Sequence, residues 1–276
     1  MESLLAYVQW HVHPEIFRIG PFAVRWYGLL FVSSFIFGFF LLKRVWNREG
    51  YPIDSLDKLT MYMMVATIIG ARLGHCLFYD PGFYLSHPFE IIKIWEGGLA
   101  SHGAALGIIA GIYIFVRKYK EFRFLWVIDR VVLVVALSGF FIRTGNLMNS
   151  EIYGHISYLP WAFIFPDEIV PRHPTQIYEA LCYLLLFLFL VRFYYKNFPN
   201  FKEGTIFSIF LIVLFTIRFF IEFLKEPQVA FESNLPLNLG QLLSLPFIAL
   251  GIILLVYLKR KPVKDNEITE ENKTQS

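Results

Sequence analysis

Val131-Val132-Leu133-Val134-Val135-Ala136-Leu137-Ser138-Gly139-Phe140-Phe141-Ile142-Arg143-Thr144-Gly145-Asn146-Leu147-Met148-Asn149-Ser150-Glu151-Ile152-Tyr153-Gly154 begins as an oily helix and ends in a guanidinium, two amides and a carboxylate. The polar groups come where the helix should be finishing a membrane crossing. A charged side chain at that depth costs at least about 2.5–3.5 kcal/mol on insertion scales, so it faces a cavity or a partner and marks a functional site. Arg143 and Asn146 are three apart and share a helical face. Two plainer readings stand beside this one: Arg143 snorkels to the interface, or it pairs with Glu151.

The rest of the chain supports a membrane reading. Of 276 residues, 56% are hydrophobic, 18% aromatic and only 17% charged, which excludes an ordinary water-soluble globule. The net charge of +3 says little by itself, because orientation follows Lys and Arg in short loops. The two cysteines, Cys76 and Cys182, sit in apolar surroundings and read as packing residues. Met1 to Gly20 has neither a basic start nor a small-residue cleavage site, so it does not read as a signal peptide.

A crossing needs about 20 mostly apolar residues. Seven stretches qualify, near Val24–Leu42, Leu59–Tyr79, Leu99–Val116, Trp126–Asn146, Thr175–Tyr195, Gly204–Leu224 and Leu239–Leu258. The expected fold is an all-α polytopic membrane protein of seven transmembrane helices over residues 1–258, followed by a disordered cytoplasmic tail over 259–276. Loop charges test this. One set of connections holds Lys43, Arg44, Arg48 and Lys58; Arg117, Lys118, Lys120 and Arg123; Arg192, Lys196 and Lys202; and Lys259, Arg260, Lys261 and Lys264. The other holds only Arg18, Lys93, Arg172 and Lys225. The basic set is cytoplasmic, which puts the N-terminus and the other loops outside.

Two outer loops stand out. Pro88 to Glu96 has an apolar and a charged face, suited to a short helix lying on the surface. Leu147 to Pro174 is long and rich in Tyr, Trp, Phe and Pro, which predicts a small ordered periplasmic head. In Pro171-Arg172-His173-Pro174-Thr175-Gln176-Ile177-Tyr178-Glu179, Thr175 and Gln176 are placed to cap the fifth span.

Further polar residues enter apolar spans at the same predicted depth as Arg143. His102 lies one turn inside the third span, after Gly97 and Gly98 and beside Gly103 and Gly107; the glycines let backbones approach closely, and the imidazole titrates near neutrality. Arg218 and Glu222 are four apart at the end of the sixth span and can satisfy each other. Tyr27 opens the first span, where an aromatic-belt role is the simpler one. Arg72 and His75 read as polar lining or support. No Cys/His cluster suggests zinc, the acids are too scattered for a two-metal site, and there is no Gly-x-Ser-x-Gly elbow. What remains is two guanidinium groups and a base near the outer leaflet. Guanidinium forks match phosphate, so a phospholipid headgroup is the natural ligand.

Arg143-x-Gly145-Asn146-x-x-Asn149-x-Glu151-x-x-Gly154 resembles the signature of the prolipoprotein diacylglyceryl transferases. Arg25-Trp26-Tyr27-Gly28, Trp95-Glu96-Gly97-Gly98 with His102-Gly103, Pro171 to Pro174 with Tyr178-Glu179, and Arg218 to Glu222 resemble further motifs of that family, in order along the chain. Ser150 stands where the family's more usual residue is glycine. The resemblance implies an inner-membrane enzyme, multi-pass and with its active site facing the periplasm. Its donor would be phosphatidylglycerol and its acceptor the thiol of the lipobox cysteine in a prolipoprotein signal peptide. The products would be a thioether and glycerol 1-phosphate. It implies His102 as the base or thiol-orienting group and Arg143 and Arg218 as the phosphate clamp. Tyr27, Asn146, Glu151, Gly154 and Glu222 would bind or position the headgroup. No metal, cofactor or nucleic acid is expected. The rival readings are an anion or lipid transporter and a lipid-binding scaffold without turnover; the oily cytoplasmic halves Ile108–Val116 and Phe207–Leu214 weigh against a transport path.

Overall fold

The computed structural model describes residues 7–20, 22–94, 97–226 and 237–260. Trp95 and Glu96 of the predicted surface helix, and the tail Asp265–Ser276, lie outside the described residues. The chain is helical, with four short strands among the described residues. β1 (Val8–Gln9) pairs in parallel with β4 (Phe163–Ile164), and β2 (Glu15–Ile19) pairs antiparallel with β3 (Phe22–Arg25). The sequence reading did not anticipate these strands, because each is too short to show an alternating pattern.

Six helices are long and apolar enough to cross a membrane: α1 (Trp26–Glu49), α2 (Ile53–Phe78), α5 (Phe124–Met148), α6 (Thr175–Asn197), α7 (Thr205–Ile221) continued by a 3₁₀ turn to Leu224, and α8 (Leu239–Arg260). Seven were expected. The remaining candidate, α4 (Ser101–Lys118), has 18 residues, and Ser101, His102, Arg117 and Lys118 occupy its ends. The crossing helices expose large apolar side chains, among them Phe40, Ile69, Leu185 and Ile253. Such surfaces are tolerable only against lipid, so this is a multi-pass membrane protein.

The chain divides into two compact units, Phe31–Ser138 and Met1–Leu30 with Gly139–Ser276. In the first, α2 and α4 pack through glycine. A Cβ on Gly70 would stand 2.4 Å from the Gly103 carbonyl oxygen, and one on Gly107 would stand 2.2 Å from that of Ala66. Without a hydrophobic drive between helices in lipid, close backbone approach is what holds such a pair. Arg72, on α2 and 4% exposed, supports the following segment. Its Nε donates to the Ile91 carbonyl at 2.9 Å, Nη1 to Gly97 at 2.6 Å and Nη2 to Glu90 at 2.5 Å. That segment holds α3 (Pro81–Ser86) and a 3₁₀ turn over Pro88–Ile92 in place of the predicted surface helix. At the other end of the same unit Arg130 grips Glu49, Nη2 to Oε2 at 2.8 Å and Nε to Oε1 at 3.0 Å, with both side chains 4% exposed.

In the second unit the polar residues gather at the C-terminal ends of α5 and α7 and the N-terminal ends of α6 and α8. The link from α5 to α6 is ordered. Tyr153 donates to Glu168 at 2.6 Å, Glu168 pairs with Arg172 at 2.8 Å, and Arg172 also pairs with Glu226. Burial pushes the Glu168 carboxyl up, but the Tyr153 hydroxyl and the Arg172 guanidinium outweigh it and hold the group below the usual carboxylate range. The hydrogen bond to Glu168 pushes the Tyr153 phenol up to about 12. Thr175 and Gln176 do not cap α6. Thr175 Oγ1 donates to the Ile152 carbonyl at 3.0 Å and Gln176 Nε2 to that of Glu151 at 2.7 Å, so both side chains pin the incoming loop to the helix.

Candidate active site

The site is built from four helix ends. On the last turns of α5, Arg143 Nη1 donates to Asn146 Oδ1 at 3.0 Å, as the three-residue spacing predicts. Asn146 Nδ2 then donates to Glu151 Oε1 at 2.7 Å, and Asn149 Nδ2 reaches the same oxygen at 3.3 Å. The Glu151 carboxylate is thereby held by two amides. Its neighbours are conformationally costly: Ser150 has φ 55° and Ile152 φ 60°, a region that β-branched side chains rarely adopt. Strain of this kind survives only where the surroundings dictate it. A glycine in place of Ser150 would relieve it.

Arg143 makes no ion pair with Glu151 among the described residues, and its side chain is only 15% exposed. Its Nε stands 2.9 Å from Glu179 Oε2 on α6, in an ion pair whose N–H is not aimed for a hydrogen bond. Glu179 is wholly buried. Its other oxygen accepts from Lys225 Nζ at 2.9 Å and from the Tyr183 hydroxyl, one turn along α6, at 3.4 Å. Lys225 is 3% exposed and lies 3.5 Å from Glu222 Oε2. The charge of Arg218 also bears on Glu179 and on Tyr183. Arg143 and Lys225 therefore meet on one carboxylate, and Arg218 adds its charge from α7 without an ion pair to Glu179 among the described residues. The expected Arg218–Glu222 ion pair does not form among the described residues; α7 tightens into a 3₁₀ turn at Glu222, and that carboxylate turns to Lys225.

Glycines set how closely these pieces approach. A Cβ on Gly240 would stand 2.4 Å from the Glu222 carboxyl carbon, so the start of α8 closes directly over that group. The start is fixed by Asn238 and Gln241, each of which accepts from the other's backbone N–H, at 2.9 and 3.1 Å, a reciprocal cap. Gly154 hydrogen bonds to the His173 carbonyl and forms a bridge with Lys225, and a Cβ there would lie 2.2 Å from the Leu224 carbonyl oxygen. Its place in the signature thus has a packing cause: it ties the loop to the segment that carries Lys225. Tyr27 lays its ring on Gly145, with electrostatic reach to Glu151 and Arg143.

His102 belongs to the other unit. It is exposed, set edge-on to Phe78 with ring centroids 5.1 Å apart and stacked with Tyr79 at 5.9 Å. Among the described residues no group of three or more His, Cys, Asp or Glu side chains is placed to hold a metal.

The sequence reading quoted Glu179 in the Tyr178-Glu179 motif but gave it no role, and gave none to Lys225 or Tyr183, all three of which the structure brings together beside Arg143. Glu179 had a signal: it is the sole acidic residue in the span Thr175–Tyr195, and the cost that singled out Arg143 applies equally to it. Lys225 had none, since a lysine just beyond a span reads as a loop charge.

The fold and site define a multi-pass membrane protein with a buried cluster of paired charges at one end of α5 to α8. The chain belongs to the prolipoprotein diacylglyceryl transferase family, whose profile matches residues 14–257. It is 44% identical to the phosphatidylglycerol–prolipoprotein diacylglyceryl transferase of Tolumonas auensis over 90% of this chain and 96% of that one. It is also 44% identical to the Chloroherpeton thalassium protein of the same description, over 91% and 94%. The Bacteroides fragilis protein of that description is 40% identical over 96% of this chain and all of its own.

Proposed function

We propose that the protein transfers the diacylglyceryl group of phosphatidylglycerol to the lipobox cysteine thiol of a prolipoprotein, with Arg143 and Arg218 gripping the lipid phosphate. The observation that carries this reading is the pairing of Arg143 and Lys225, from separate helix ends, with the buried Glu179. A cluster of cations at the end of four apolar helices suits a phosphate held at the membrane surface.

In the reaction the thiol loses its proton to become the nucleophile, and the thiolate attacks the glycerol carbon of the diacylglyceryl group. The carbon–oxygen bond to phosphate breaks, and glycerol 1-phosphate leaves with its charge accommodated by the guanidinium groups. His102 is assigned the thiol's proton, on the strength of its motif Gly97 to Gly103. Asn146 and Glu151 orient Arg143, Glu222 orients Lys225, and Tyr27 and Gly154 hold the backbone and rings around them.

The seventh crossing in this reading is α4, whose short apolar core is flanked by the aromatic rings and basic residues that anchor a helix at both interfaces. The excess of Lys and Arg in alternate loops supports a periplasmic N-terminus and, with it, a cation cluster and 147–174 head on the periplasmic side of the inner membrane. The test is direct. Purified protein, phosphatidylglycerol vesicles and a lipobox peptide are incubated and the peptide is weighed. A gain of one diacylglyceryl mass, absent from a Cys→Ser peptide, is the expected result; an unchanged mass rejects the reading.

A further inference from the structure

We propose that Glu179 is the positioning carboxylate of the phosphate site: it gathers Arg143 and Lys225 in the empty enzyme and sets how tightly the released phosphate is held. The proposal rests on the transferase reading and deepens it. Glu179 has no solvent exposure, and its two oxygens are divided between two cations, Oε2 at 2.9 Å from Arg143 Nε and Oε1 at 2.9 Å from Lys225 Nζ. Tyr183 holds Oε1 from the same helix at 3.4 Å. Arg143 is thus held by charge at its Nε side by Glu179 and by a hydrogen bond from Nη1 to Asn146, which restricts where the guanidinium can sit. Lys225 is fixed from the opposite oxygen. A flexible lysine and a long arginine lose much of their rotamer freedom before substrate binds, and that preorganisation lowers the cost of binding.

The charges explain the second half of the proposal. Arg143 and Lys225 pair with Glu179 and Lys225 also with Glu222, while Arg218 and Glu151 lie on the same helix ends; three cations and three carboxylates make the group formally neutral when empty. The donor brings a phosphodiester with one negative charge. The product is a phosphomonoester, which carries about 1.5 to 2 negative charges near neutral pH. Without Glu179 the cluster would carry one net positive charge and would hold that product more tightly than the donor, and binding of that kind slows turnover. Glu179, already seated between the cations, competes with the product and favours its departure.

The experiment measures inhibition of peptide lipidation by added glycerol 1-phosphate in Glu179→Gln, Lys225→Gln and the double variant. Glu179→Gln is expected to be inhibited at about tenfold lower concentration than the wild type, with kcat reduced and KM for phosphatidylglycerol not raised. Lys225→Gln is expected to move inhibition about tenfold the other way. The double variant, whose charge balance is restored, should return to near wild-type inhibition while kcat stays low. A purely structural Glu179 would lower rate and accumulation without shifting inhibition in opposite directions. Unchanged or weaker inhibition in a folded Glu179→Gln, or no return in the double variant, overturns the proposal. If Glu179→Gln does not accumulate, Lys225→Gln decides, and unchanged inhibition there overturns it equally. Should the wild type fail to lipidate the peptide at all, the transferase reading falls instead; calorimetric binding of glycerol 1-phosphate to wild type and variants then reads the role of Glu179 separately, with the same expected directions.

Discussion

Arg143 on α5 and Glu179 on α6 form an ion pair of 2.9 Å around a carboxylate with no solvent exposure. Breaking a buried pair by removing one partner typically costs about 3–5 kcal/mol, because the other charge is stranded. Here Lys225 remains beside Glu179 and softens that loss. Arg143→Ala should therefore accumulate at a reduced level and lose about 10²–10³ of its rate, the usual effect of deleting a donor to developing charge. Arg143→Lys keeps the charge but cannot reach Glu179 and Asn146 together. It should fold well and still lose most turnover. Peptide lipidation by mass spectrometry, normalised to protein in the membrane, reads both; a normal rate for Arg143→Lys removes the guanidinium fork from the mechanism.

His102 makes ring contacts with Phe78 and Tyr79 and no hydrogen bond among the described residues. Its replacement should leave the fold intact. His102→Gln is expected to accumulate normally and to slow lipidation by about 10²–10⁴, the range of a lost general base. Full activity at neutral pH in this variant would send the thiol's proton elsewhere.

The loop 149–174 should be pH-sensitive at both extremes. Glu168 is held below its ordinary range, so its contribution is present above the unfolded carboxylate value near 4.5 and disappears as pH falls through the folded one. Tyr153 is raised to about 12, so its contribution is complete below the unfolded value near 10 and is lost as pH climbs toward 12. Limited proteolysis of the loop should be slow between these limits and accelerate beyond them. In Glu168→Gln the acid limb should vanish and the alkaline limb weaken; an unchanged profile would remove the Tyr153–Glu168–Arg172 network as the cause.

Ser150 adopts φ 55° beside Glu151. Ser150→Gly should raise the melting temperature or leave it unchanged, since the left-handed conformation costs an ordinary residue roughly 1–2 kcal/mol and glycine almost nothing. A clear drop in melting temperature would mean that the Ser150 hydroxyl matters more than its backbone.

Gly103 packs against α2 with no room for a methyl group, since a Cβ there would lie 2.2 Å from the Gly70 carbonyl oxygen, whereas nothing lies within 4 Å of one on Gly28. Gly103→Ala should reduce accumulation sharply, by the 1–3 kcal/mol or more that overpacking costs, and Gly28→Ala should be neutral. Equal yields of the two proteins would contradict the α2–α4 contact.

What the sequence determined by itself followed from the price of polarity in an apolar setting. Arg143, Asn146 and Glu151 stood out because oily helices make every charge conspicuous. The long apolar runs located the six crossing helices, four of them to within two residues, with α1 running on from Leu42 to Glu49 and α2 starting at Ile53 instead of Leu59. Periodicity placed Arg143 beside Asn146 correctly. Tertiary structure alone decided the pairings. Arg218 and Glu222 are four apart and read as partners, yet the 3₁₀ turn at Glu222 and the approach of α8 at Gly240 send the carboxylate to Lys225. Glu179 pairs with cations from two separate segments, and a contact between residues distant along the chain leaves no spacing to read. The same reason hid the packing role of Gly154, whose neighbour Leu224 arrives from a different helix end.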